Sequence, residues 1–113
     1  MEIVTYKKRY EKVTASWDRY KEWKQDKKGY FLIRVNRKNK NIDVGFCKNK
    51  NEISIKITGN NPQEIYHTIL RKRMVSSMHH SAYLGKELHK AYVALKFGLE
   101  YIQDEELDLK RII

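Results

Sequence analysis

Between residues 31 and 57 apolar and polar side chains alternate. Phe31, Ile33 and Val35 fall on one side of an extended chain, and Leu32, Arg34 and Asn36 on the other. The pattern returns with Ile42, Val44 and Phe46 against Asp43, Gly45 and Cys47. It returns again with Ile53, Ile55 and Ile57 against Glu52, Ser54 and Lys56. A period of two marks strands of a sheet with one buried face. The connections at residues 37–40 and 48–50 are short, polar and contain Asn, as hairpin loops do. The segments predict a three-stranded antiparallel meander, which needs a cover because so small a sheet is not stable alone in water.

After residue 59 the period changes to that of a helix. Gly59-Asn60-Asn61-Pro62 is a strong helix start, with Asn61 as N-cap and Pro62 at the first helical position. Ile65 and Ile69, with Tyr66 and Leu70 beside them, form an apolar stripe that runs out near residues 74–77. A longer helix is expected over residues 80–103. Its stripe is Leu84, Leu88, Ala91, Leu95, Leu99 and Ile102, facing the sheet. Gly85 and Gly98 lie inside that span and are expected to face close neighbours. Upstream, Trp17, Tyr20 and Trp23 recur at helical spacing, so a further helix is expected over residues 14–25, broken at residues 26–29. Residues 1–13 are ambiguous, although Ile3, Val4 and Tyr6 suit a strand. The expected fold is one α+β domain over residues 1–113: a three-stranded antiparallel meander covered by two C-terminal helices, with an N-terminal helix.

Composition adds compartment and charge. The 113 residues are 41% hydrophobic, enough for a core. Cys47 is the one cysteine, so no internal disulfide forms. No apolar run approaches membrane-spanning length, and MEIVTYKKRY has no signal-peptide core, so a cytoplasmic protein is expected. The formal charge is +10. Residues 1–73 hold 19 Lys+Arg against 8 Asp+Glu, and residues 74–113 hold 5 against 6. A basic excess of this kind suits a polyanion, and it also arises from a lysine-rich proteome. Basic residues interleave with Tyr6, Tyr10, Tyr20 and Trp23, and Arg71-Lys72-Arg73 forms a cluster, but no nucleic-acid-binding motif accompanies them.

One helical face carries candidate chemistry. With 3.6 residues to each turn of an α-helix, His80, Tyr83, Glu87 and Lys90 fall within one quadrant of the helical wheel. A His, a Tyr, a Glu and a Lys within three turns suit proton transfer or anion binding. The same pattern is also what a solvated helix face produces. His67, His79, His80 and His89 lack the i, i+4 pairing of a helical zinc site, so no metal is expected. No nucleophile elbow or phosphate-binding glycine loop is present.

Two runs carry a resemblance. Asp26-Lys-Lys-Gly-Tyr-Phe-Leu-Ile33 is followed by His80-Ser-Ala-Tyr-Leu-Gly-Lys-Glu-Leu88, then by Lys90-Ala91, Ala94-Leu95, Gly98 and Tyr101-Ile-Gln-Asp104. Over roughly residues 16–107 the chain resembles a domain of unknown function from archaea and cyanobacteria. That domain occurs alone or C-terminal to the pterin-binding barrel of archaeal dihydropteroate-synthase-like proteins. The resemblance implies an archaeal origin and a link to pterin or one-carbon cofactor metabolism, with no cofactor specified. It also makes His80, Tyr83, Gly85, Glu87, Lys90 and Asp104 the ligand-binding candidates.

Three functional readings follow. The first is a binding or accessory domain for an anionic, pterin-like small molecule, with His80 and Lys90 as charged contacts. The second is a homo-oligomeric or partner-docking module whose Tyr- and Trp-rich surface forms the interface. The third is an enzyme with His80 and Glu87 as an acid–base pair.

Overall fold

The structure is a computed structural model describing residues 1–5, 11–12, 30–49, 52–75 and 78–103. Strands β1 (Glu2–Thr5), β2 (Glu11–Lys12), β3 (Tyr30–Asn36), β4 (Asn41–Asn49) and β5 (Glu52–Gly59) precede helices α1 (Pro62–Arg71) and α2 (Met78–Phe97). The expected meander is present, with β3 antiparallel to β4 and β4 to β5. The sheet is wider than three strands. β1 joins β5 with Ile3 opposite Ile57, which gives the order β1-β5-β4-β3, and β2 also pairs with β5. The N-terminal segment thus satisfies the backbone groups that β5 would leave unpaired on its outer side. The helix expected over residues 14–25, its break at 26–29 and the tail from Asp104 lie outside the described residues.

A bulge corrects the expected alternation. Cys47 sits opposite Ile53, and Phe46 opposite Ile55, so Ser54 is an extra residue. Its hydroxyl donates to the Phe46 carbonyl at 3.1 Å. One inserted residue reverses which face the following side chains take. Ile55 and Ile57 stay under the helices with Val44 and Phe46. Ile53 instead turns to the other face, where a Cβ on Gly45 would stand 3.0 Å from its Cδ1. Leu32, Cys47 and Ile53 are all buried there, so the sheet buries side chains on both faces. Farther along this face, the Asp43 carboxylate accepts from Arg34 at 2.7 Å and from Thr58 at 2.9 Å.

α1 begins as its residues dictate: the Asn61 side chain accepts from the amides of Gln63 and Glu64, and Pro62 opens the helix. It ends earlier than expected. The Arg73 amide donates to Leu70 O and the Met74 amide to Ile69 O, with Arg73 left-handed at φ 53°. This closure turns Met74 into the core. In α2, Leu84, Leu88 and Ala91 are buried against the sheet as expected. Burying each leucine stabilises the fold by roughly 1.5–3 kcal/mol.

The second half of the α2 expectation is overturned. The helix stops at Phe97, Gly98 takes φ 66°, and the Leu99 amide donates to Ala94 O at 2.9 Å. This is a glycine-terminated helix end. Leu99 and Ile102, placed on the buried stripe by periodicity, are 53% and 42% exposed, while Tyr101 and Gln103 are buried in their stead. Nor do the two glycines face tight neighbours. A Cβ at Gly98 would meet nothing within 4 Å, and one at Gly85 would meet the Tyr66 ring at an ordinary 3.5 Å.

Gly98→Ala is therefore expected to lose about 1 kcal/mol, because alanine resists the left-handed conformation. Gly85→Ala is expected to gain up to about 1 kcal/mol from helix propensity. Urea unfolding of the two variants checks the opposite signs.

Candidate functional site

Beyond Gly98 the chain doubles back along α2 and meets the side of β3 away from β4. There the Gln103 side chain behaves like a backbone amide of a further strand. Its Oε1 accepts from Ile33 N at 2.9 Å, and its Nε2 donates to Phe31 O at 3.0 Å and to the Tyr83 hydroxyl at 2.8 Å. Two residues earlier, the Tyr101 hydroxyl donates to Glu87 Oε1 at 3.1 Å. Lys90 Nζ lies 3.4 Å from Glu87 Oε2, donates to Ile102 O at 3.2 Å and stands 5.9 Å from the centre of the Tyr101 ring. Glu87 is wholly buried. A buried carboxylate is tolerated only where donors meet it, and Tyr101 and Lys90 do so.

Tyr83, Glu87 and Lys90 do converge, as their positions on the helix required. What they converge on is the protein's own residues 101–103. His80 is half-buried in the first turn of α2. Seven residues of helical rise put its Cα about 10 Å from that of Glu87. Gly85 points to the other side, toward Tyr66. Asp104 lies outside the described residues. Tyr101 and Gln103, the partners that complete the cluster, were missed as such because a continuous helix was expected through them.

Open space lies elsewhere. Between α1 and α2 a groove of about 650 Å³ is lined by Tyr66 of α1 and by Gly85, Leu88, His89 and Tyr92 of α2, with residues 60–63 at the start of α1. A cavity of about 550 Å³ adjoins it toward the β3–β4 turn, lined by Arg37, Lys40, Asn60, Tyr92, Leu95 and Lys96. Asn60 and Tyr92 line both. The sequence held one signal for this site, Tyr92 and Lys96 at i, i+4. Among the described residues no group of three or more His, Cys, Asp or Glu side chains is placed to hold a metal ion, and no helix is long and apolar enough to cross a membrane.

Comparison with known proteins places the chain. Residues 25–104 match the PterinBD-DUF4346 family. The chain belongs to that family. It is 40% identical over 81 residues to Uncharacterized protein MJ0107 of Methanocaldococcus jannaschii, a match covering 72% of this chain and 15% of that protein. It is 38% identical over 85 residues to Uncharacterized protein ycf91 of Porphyra purpurea, covering 70% of each. The chain thus spans a small part of the first relative and most of the second. No solved structure matches. The matched PterinBD-DUF4346 segment includes β3 to β5, both helices and the returning residues 101–103, so the polar cluster and both cavities lie within it.

Gln103→Ala removes three hydrogen bonds from buried groups and is expected to cost about 1–3 kcal/mol. Amide hydrogen exchange reads the same change locally: protection of the Ile33 amide should fall more than that of amides in β4.

Proposed function

We propose that this domain binds an anionic small molecule of the pterin class as an accessory domain in cofactor metabolism, and that the groove between α1 and α2 holds it. The observation carrying this reading is the groove itself, with Tyr66 and Tyr92 on its walls and Leu88 between them. Its volume of about 650 Å³ falls among those of ligand pockets. Tyrosine rings stack on flat heterocycles, and the side-chain amides of Asn60 and Gln63 supply donors and acceptors for a heterocycle's edge. The family's name supports the pterin class. Attachment to a pterin-binding barrel in longer relatives belongs to this proposal.

The site differs from the first expectation. Lys90 and Glu87 are engaged with Tyr101 and Ile102, so their role in this reading is to hold the returning segment and, through α2, one wall of the groove. Of the candidate residues that the structure describes, Gly85, on the side of α2 away from the polar face, is the one that lines the groove. An acid–base pair of His80 and Glu87 is disfavoured by the helical rise between them and by the bonds Glu87 already makes.

A second reading, self-association, rests on Phe97, Leu99 and Ile102, exposed by 65%, 53% and 42% near the end of α2. Large apolar side chains exposed within a few residues of one another suit an interface. Sedimentation of the chain and of Leu99→Asp tests it: this reading expects an oligomer that the charged variant converts to monomer.

The ligand reading is tested by thermal unfolding with pterins, folates and nucleotides. A pterin at 100 times its Kd should stabilise the native chain by about 2.7 kcal/mol, raising Tm. Tyr92→Ala should abolish the shift and His80→Ala should keep it. The reverse result would move the site to the polar face of α2.

A further inference from the structure

We infer that the cavity beside the β3–β4 turn is a subsite for a phosphoryl group, adjoining the groove and sharing the Tyr92 wall. It rests on the proposed function only for what the ligand's other end would be. Three cationic side chains, Arg37, Lys40 and Lys96, line this cavity, and no carboxylate does. Among the described residues none of the three is engaged in an ion pair. Like charges gathered without counter-charge repel one another, and an anion between them relieves that repulsion.

The charge balance selects the kind of anion. A monocarboxylate offsets one of three positive charges, whereas a phosphate monoester carries about −1.5 to −2 at neutral pH and presents three acceptor oxygens. The planar fork of Arg37 suits those oxygens, and lysine ammoniums complement them as point charges.

The turn and the helix place these groups. The Asn39 amide donates to Asn36 Oδ1 at 3.2 Å, and Lys40 adopts a left-handed φ of 56° that ends the turn. On α2, Lys96 Nζ lies 5.9 Å from the centre of the Tyr92 ring and 5.8 Å from that of Phe97. An ammonium over Tyr92 thus stands beside the wall common to both cavities. A phosphorylated flat molecule would span them, its ring against Tyr66 and Tyr92 and its phosphate on Arg37, Lys40 and Lys96. Lys38 belongs to the same turn but does not line the cavity, so it separates a built subsite from a diffusely basic surface.

Calorimetric titration of the full chain with inorganic pyrophosphate tests the subsite. Lys40→Gln and Lys96→Gln are each expected to weaken binding by about tenfold, the effect of one charge-assisted hydrogen bond. Lys38→Gln is expected to leave it unchanged, and circular dichroism checks that each variant is folded. Equal weakening by Lys38→Gln and Lys40→Gln, or no binding by the wild type, overturns the subsite. A pterin with and without a phosphate ester is titrated in parallel. Binding of the unesterified pterin, lost in Tyr66→Ala but with no pyrophosphate binding, leaves the proposed function standing and removes this inference. Pyrophosphate binding that follows Lys40 and Lys96 with no pterin binding supports the subsite and removes the pterin reading.

Discussion

The reversal at Gly98 is the constraint on which the described architecture turns. A helix continuing past Phe97 would carry residues 101–103 away from the sheet, leaving the Phe31 carbonyl and the Ile33 amide of β3 without Gln103. It would also take Tyr101 away from Glu87, a carboxylate with no exposure to solvent. Left-handed glycine lets the Leu99 amide close the helix on Ala94 and sends the chain back over α2. One backbone conformation thus satisfies a strand edge and a buried charge together.

Those two tasks explain why so polar a cluster sits against an apolar core. Moving a carboxylate out of water costs several kcal/mol unless donors meet it, and removing one partner of such a set costs more than the set contributes. Tyr83, Glu87 and Lys90 therefore read as the means by which α2 holds the returning segment. With α2 held over β3 and β4, and α1 capped at Asn61, the two helices leave the groove between Tyr66 and Tyr92. The polar cluster holds the returning segment, and the groove lies between the two helices.

Membership of the PterinBD-DUF4346 family fits this division. The matched segment makes up 15% of one relative and 70% of the other. In this chain Gln103 meets two backbone groups on the outer side of β3. A strand edge left open would instead invite pairing with other chains.

Much of the fold was legible in the residues. Alternation located β3, β4 and β5, Asn61 and Pro62 located the start of α1, and Leu84, Leu88 and Ala91 located the buried side of α2, because local periodicity and capping chemistry are properties of short segments. The grouping of Tyr83, Glu87 and Lys90 on one side of α2 was legible for the same reason. Other features required the folded chain. Ser54 became a bulge only when β5 paired with β4, and that pairing sent Ile53 to the opposite face. Gly98 ended α2 because the buried places were taken by Tyr101 and Gln103, residues that periodicity alone ranks below Leu99 and Ile102. The groove joins Tyr66 of α1 to Tyr92 of α2, and the adjoining cavity joins Arg37 of the β3–β4 turn to Lys96 near the end of α2. No pattern within a single element encodes such pairings. The sequence by itself determined which segments become strands and helices and which faces are apolar; the tertiary structure decided which polar groups bond to one another inside the protein and which line the open space between its elements, because both depend on residues far apart in the chain.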